Sequence, residues 1–297
     1  MPFFSFTVKM NRKGSILCHL HADCVKKNDI LRNSHIIPKF FYEELKKLSL
    51  TKTMRNGINV NKPQQDGIKT KFLCQDCEVL FSKYEKYFSE KIYNHYIDKD
   101  ILYTLNSDND ELRYFILSFV WRYIKYYLEQ NKTSSESYPL EITPLEMEKL
   151  ENLLNDWRLN LLQEDHKAIK NYGMFIIPYD NINTTDDNLH DFFNMNSVAP
   201  DFSFFDKEDT FECSLFFLKV PHLIFIFTIW GHYNSLKSNK VGKTIKIRDT
   251  KFDKIFLNYV EKILNNFKKS KQNLSDKQMQ ATIKRVLKAK NNSTKNQ

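Results

Sequence analysis

The stretch KFLCQDCEVLFSKYEKYF, residues 71–88, decides how the N-terminal third of this chain is read. A short apolar run ends at Cys74-Gln75-Asp76-Cys77, and a helical pattern follows. A zinc knuckle requires this layout, because the turn brings two thiolates onto one ion and the helix leads the chain away from it. Within the helix, Phe81, Tyr84, Phe88 and, further on, Ile92 share one face suited to a core. Glu78, Ser82, Glu85 and Ser89 share another at i, i+4 and i+7.

Upstream, Cys18-His19-Leu20-His21 supplies a second pair at the same spacing. Cys18, His21, Cys74 and Cys77 together give a Cys3His set, and a closed shell of four protein ligands is structural rather than catalytic. Cys24 competes with His21 for the fourth position, and His19 is a further alternative. The plainer reading is a group of free buried thiols. Against it, four of the five cysteines fall in two short clusters. In a reducing compartment such pairs point to metal rather than to disulfides.

Between the pairs lies Asn33-Ser34-His35-Ile36-Ile37-Pro38, a strand-like run ending in a histidine, two apolar residues and a proline. The order C-x-x-H, SHIIP, C-x-x-C, with SHIIPKFFYEEL (34–45), DGIKTKFLCQDCE (66–78) and FSKYEKYF (81–88), resembles the HNH, or ββα-metal, endonucleases. The resemblance covers about residues 15–95. It implies metal-assisted cleavage of phosphodiester bonds, with His35 as the general base that deprotonates water. A divalent cation, Mg2+ or Mn2+ and distinct from the zinc, would neutralise the scissile phosphate. In the family this cation is held by an acid just before the catalytic histidine and by a histidine just after the second knuckle. Here Ser34 and Glu78 occupy those places, and a carboxylate at Glu78 suits a hard cation. The expected catalytic set is therefore His35, Glu78 and Glu85, with Glu85 as a ligand or as the residue that orients His35. Asp66 is a further candidate. The middle Asn of the family name has no counterpart, since Asn33 sits elsewhere. Some members of the broader superfamily act in defence against phage. The competing reading is an inactive zinc-binding module that recognises nucleic acid or a protein partner, with Glu78 and Glu85 forming a solvated helix face.

The rest of the 297 residues points to an α+β protein. Only 6 Gly and 8 Pro favour long elements over tight turns. ELRYFILSFVWRYIKYYLEQ (111–130) is apolar all round, as a buried helix is, and Pro144 opens a second helix. YGMFIIPY (172–179), TFECSLFFLKV (210–220), HLIFIFTIW (222–230) and TIKIR (244–248) read as strands, the middle two paired through a turn at Pro221. The intervening 181–201 reads as a polar, acidic loop. Phe252–Phe267 is amphipathic, and a last helix begins at Ser275, where Ser275 and Gln278 fit a capping box. The expected divisions are 1–97, a zinc-bearing HNH-like module; 98–170, helical; 171–267, antiparallel sheet plus helix; and 268–297, a basic amphipathic tail.

The net charge of +9 is concentrated in residues 264–297, where nine Lys or Arg face one acid, Asp276. The remainder is nearly neutral, so the basic pI does not describe the body. In the last helix Met279, Ile283, Val286 and Leu287 form an apolar face. Lys284, Arg285 and Lys288 are candidates for contact with nucleic acid, DNA in the first instance. The apolar face would suit a protein partner or a second subunit. GxxxxGK[ST] is absent, which removes nucleotide-triphosphate loops, and no nucleophile elbow is present. No apolar run approaches the roughly 20 residues of a membrane span. The N-terminus lacks a charged start followed by a long apolar stretch, so the expectation is a cytoplasmic protein.

Overall fold

The computed structural model describes residues 18–21, 31–57, 59–98, 105–106, 109–133, 143–180, 182–205, 213–233, 236, 239–242, 244–245 and 252–294. Its elements run β1 (Arg32–His35), α1 (Lys39–Leu48), β2 (Met54–Arg55), β3 (Pro63–Gln64), β4 (Lys69–Leu73), α2 (Gln75–Phe88), a π-helical turn (Ser89–Tyr93) and α3 (Asn94–Asp98). They continue with β5 (Leu105–Asn106), α4 (Asp110–Thr133), α5 (Pro144–Leu162), α6 (His166–Ile169), β6 (Met174–Pro178) and α7 (Asp187–Asn194). β7 (Ala199–Phe205), β8 (Cys213–Val220), β9 (Leu223–Trp230), β10 (Thr244–Ile245), α8 (Lys254–Gln272) and α9 (Asp276–Thr294) complete the order. The class is α+β with antiparallel sheets, as expected. Two compact units interleave along the chain: Met1–Ile37, Ile68–Lys91 and Asp110–Asn171 form the first, and Pro38–Gly67, Ile92–Asn109 and Tyr172–Gln297 the second.

In the first unit β1 pairs antiparallel with β4, and α2 follows β4 directly. The register is irregular: Arg32 lies opposite Leu73 and Asn33 opposite Lys71, leaving Phe72 as the extra residue of a bulge. The Leu73 N–H finds its acceptor in the Ser34 hydroxyl at 3.1 Å. That satisfies a buried donor the irregular ladder leaves over. α4 is buried on every side from Leu112 to Ile124, as its apolar sequence demands, and packs against α2, α5 and α6. The Trp121 indole donates to the Leu154 carbonyl at 3.0 Å and the Tyr114 hydroxyl to that of Leu161 at 2.7 Å. α5 starts where Pro144 placed it. Thr143 and Glu146 close a full capping box around that start, a device worth about 1 kcal/mol.

In the second unit β6, β9, β8 and β7 form one antiparallel sheet in that order. β8 and β9 join through Pro221-His222, as the sequence implied. Both strands are buried on both faces, which explains their unbroken apolar sequences. Leu215, Phe217, Ile224 and Ile226 pack with Phe192 and Phe193 of α7 and Phe256 and Tyr259 of α8. Each such side chain contributes about 1.5–3 kcal/mol by leaving water. The reading of 181–201 as a loop is corrected here. Asp186 caps α7 by accepting from Leu189 N–H, and Ala199–Phe205 is the edge strand β7. Nine Asn and Asp in that window hid three apolar residues at helical spacing, Leu189, Phe192 and Phe193. The capping box expected at Ser275 is also corrected. Asn61 Oδ1 accepts the Ser275 N–H at 2.8 Å, and Gln278 accepts from Arg55 instead. Of TIKIR, Thr244 and Ile245 form β10, paired with β5, and the last three residues lie outside the described ones. Among the described residues no helix is long and apolar enough to cross a membrane.

Candidate metal centre

The bottom of β4 and the start of α2 place Cys74 and Cys77 one helical turn apart. Cys74 is the N-cap residue and Cys77 lies in the first turn. Residues 18–21 deliver Cys18 to the same spot. The three sulfurs lie within 4.8 Å of one another, and all three cysteines are buried and free of disulfides. The group can hold a metal ion. Cys18 Sγ accepts the backbone N–H of Cys74 at 3.3 Å and of His21 at 3.5 Å. Amide-to-sulfur bonds of this kind favour thiolate over thiol.

The electrostatics point the same way. The hydrogen bond from Cys77, helped by those amides and opposed by burial, holds the Cys18 thiol down at about 5. The hydrogen bond and charge of Cys18, together with burial, push Cys77 far up. One thiolate therefore forms readily and the next resists, because like charges at this distance need a cation between them. A bound divalent cation reverses that resistance.

Residues 18–21 are tied down from two helices of the same unit. His19 N–H donates to the Phe72 carbonyl at 3.2 Å, and its ring lies 4.4 Å from the Phe72 ring. His19 Nδ1 lies 3.0 Å from Glu129 of α4, and Arg158 of α5 donates to the Leu20 carbonyl at 3.0 Å. Burial raises the Glu129 carboxyl, but His19 and Lys125 outweigh it and hold the group below its usual range. His19 is thus engaged away from the sulfurs. Among the described residues, the ring of His21 does not join the three-cysteine group either, so the expected Cys3His set is met in three members only. Cys24, the alternative, lies outside the described residues.

The expected catalytic residues divide. Ser34 is fully buried, and its hydroxyl accepts from Leu73 N–H, so it serves the strand pair rather than a cation. His35 ends β1, half-buried. Its carbonyl accepts from Arg122 Nη1 at 2.9 Å, and Arg122 Nη2 lies 2.5 Å from Glu85 Oε1. Arg122 also donates through Nε to the Ser118 carbonyl at 3.4 Å and lies over the Phe81 ring at 5.1 Å. One guanidinium therefore joins the end of β1, the side of α2 and the middle of α4. Arg122 thus anchors two helices and a strand end through an internal carboxylate. Which carboxylate it takes depends on the long-range packing of α2 on α4, which no local signal encodes.

Glu78 lies seven residues before Glu85, about 10 Å nearer the cysteines along the helix axis. One of its carboxylate oxygens is buried without a hydrogen-bond partner. His35, Glu78 and Glu85 do not form a compact three-donor group; among the described residues only the cysteines do. Asp66 accepts from the Gly67 N–H at 2.9 Å. Lys284, Arg285 and Lys288 lie exposed on α9, in the second unit, where Met279, Ile283 and Leu287 are exposed as well.

No protein-family model, curated protein or solved structure matches this chain.

Proposed function

We propose that the chain is a zinc-stapled phosphodiesterase acting on nucleic acid, DNA in the first instance. Zinc is held by Cys18, Cys74 and Cys77, with His21 or Cys24 as the fourth ligand. Three sulfurs favour a soft to borderline cation, and zinc suits a closed thiolate-rich set. Its role is to fasten residues 18–21 to the start of α2, and so to set the β1–β4–α2 segment.

The observation that carries the catalytic half is the Arg122 clamp. It fixes the backbone of a strand-end histidine against an acid on the helix that the cysteines begin. In this reading His35 takes a proton from water. Glu85 acts through Arg122 as a positioning residue rather than as a ligand. A Mg2+ or Mn2+ held between the protein and the substrate's phosphate oxygens would need only one or two protein carboxylates and would neutralise the scissile phosphate. Glu78, with its unpartnered oxygen, is the protein donor.

A second reading is favoured by specific contacts: a zinc-binding module that grips nucleic acid or a protein without cutting. Ser34 and Glu85 are both engaged elsewhere, and among the described residues the one compact three-donor group is that of the cysteines. The assay that separates the two is plasmid DNA, and single-stranded RNA in parallel, incubated with the full chain and Mg2+ or Mn2+, beside His35→Ala. The nuclease reading expects cutting that His35→Ala abolishes. Cutting that persists in His35→Ala removes His35 from the mechanism, and no cutting with either metal leaves the binding module.

A further inference from the structure

The second unit holds another polar constellation, built around His222. His222 occupies the second position of the Pro221-His222 turn with φ 71°. A proline followed by a positive φ defines a turn that ordinarily takes Gly or Asn at the second position. A histidine held there carries strain, and such strain persists only where the surroundings over-determine it.

They do so here. The His222 N–H donates to the Tyr179 hydroxyl oxygen at 2.9 Å, and Nδ1 lies 2.9 and 3.0 Å from the two Asp180 oxygens. The Tyr96 hydroxyl donates to the same carboxylate at 3.1 Å. Tyr179 in turn donates to the Val220 carbonyl at 2.9 Å and accepts from the fully buried Lys219 ammonium at 3.0 Å. Glu44 Oε1 approaches His222 Nε2 at 3.8 Å. The turn is thereby locked from the end of β6, from β8, from α1 and from α3.

A cleft of about 430 Å³ opens over this lock. That volume falls within the roughly 300–1,000 Å³ of small-molecule sites. Asp180, Asn183, Asn194 and Asn196 reach it, with Ile182 and Phe193 as an apolar wall. Asn183 and Asn196 make no side-chain hydrogen bond among the described residues, so their amides are available to a ligand. No lysine or arginine lines the cleft.

We propose that this cleft binds an uncharged nucleobase carrying an exocyclic amine, presented as a free nucleoside. A carboxylate accepts from such an amine, and an asparagine amide pairs in bidentate fashion with an amine and its neighbouring ring nitrogen. The apolar wall suits the flat face of the base. With no lysine or arginine in the lining, Asp180 disfavours phosphate, so the nucleoside is the preferred form over the nucleotide. The locked turn means the Asp180 acceptor is in place before the ligand arrives, so little ordering of that group opposes binding. The site belongs to the second unit and does not rest on the phosphodiesterase reading.

The test is calorimetric titration of the full chain with adenosine, cytidine, inosine, uridine, ATP and glucose. Adenosine or cytidine should saturate below about 1 mM. Inosine and uridine, which lack the amine, should bind at least about tenfold more weakly, and ATP no tighter than adenosine. Asn196→Ala, at an exposed position that leaves the fold intact, should weaken the best nucleoside by about fivefold or more. Asp180→Asn, checked for folding by its melting curve, should erase the preference for the amine. No saturation by any nucleoside, tighter binding of ATP or glucose than of adenosine, or nucleoside binding unchanged in Asn196→Ala each overturns the proposal.

Discussion

Replacing Arg122 by Met keeps an unbranched stem over Phe81 and strips away the guanidinium that joins β1, α2 and α4. The Arg122 side chain is 2% exposed and that of Glu85 22%. The substitution leaves the Glu85 carboxylate without its partner at 2.5 Å and removes the side-chain donors to the His35 and Ser118 carbonyls. Breaking one side of a buried pair costs about 3–5 kcal/mol. The partial exposure of Glu85 lets water recover some of that, which brings the expectation to about 3 kcal/mol. Glu85→Leu alone strands the arginine and costs a similar amount. The double variant Arg122→Met/Glu85→Leu removes both charges together, so it should fall short of the summed losses by about 2 kcal/mol. Urea unfolding followed by tryptophan emission measures this, because Trp121 and Trp157, two of the three tryptophans, are buried in the same unit. Additivity within about 0.5 kcal/mol would refute the clamp as a coupled device.

Two further outcomes follow from named contacts. Ser34→Ala removes the acceptor of the buried Leu73 N–H and should lower stability by about 1–3 kcal/mol in the same urea assay; a change under about 0.5 kcal/mol would mean that the hydroxyl does not hold the bulge together. Burial pushes the Lys219 ammonium down to about 7 from an ordinary value of 10.5. Between those values the unfolded chain binds more protons than the folded one. Stability therefore rises with pH by up to about 1.4 kcal/mol per unit, and the penalty of the buried charge is full below pH 7. Lys219→Met should lose that slope, so wild-type and variant curves of stability against pH that run parallel from 7 to 9 would contradict it.

Features written in local sequence were legible. The all-round apolar character of 111–130 foretold a buried α4, and the unbroken apolar runs around Pro221 foretold the β8–β9 hairpin. The two short cysteine spacings foretold that Cys18 would meet Cys74 and Cys77 across 56 residues. What failed was of two kinds. Helix α7 was hidden because polar residues outnumber apolar ones in its window, although Asp186 at the cap and Leu189, Phe192 and Phe193 on one face were there to be read. The partners of Arg122, His19 and His222 were not legible, because each is chosen by tertiary packing. A guanidinium on α4 or an imidazole beside a cysteine has many sequence-allowed carboxylates and only one that the fold brings within reach. The same limit applies to the knuckle, where spacing proposed His21 as a ligand and its backbone N–H donates to Cys18 Sγ.

The metal content of the folded chain decides whether Cys18, Cys74 and Cys77 hold zinc. Elemental analysis of full-length protein, purified without added metal and shown to be folded by its melting transition, should find about one zinc per chain, with sulfur-dominated ligation by X-ray absorption. Cys74→Ser should carry almost none. Folded protein with all of its cysteines reduced and no stoichiometric metal would show that these cysteines are free buried thiols and not a zinc site.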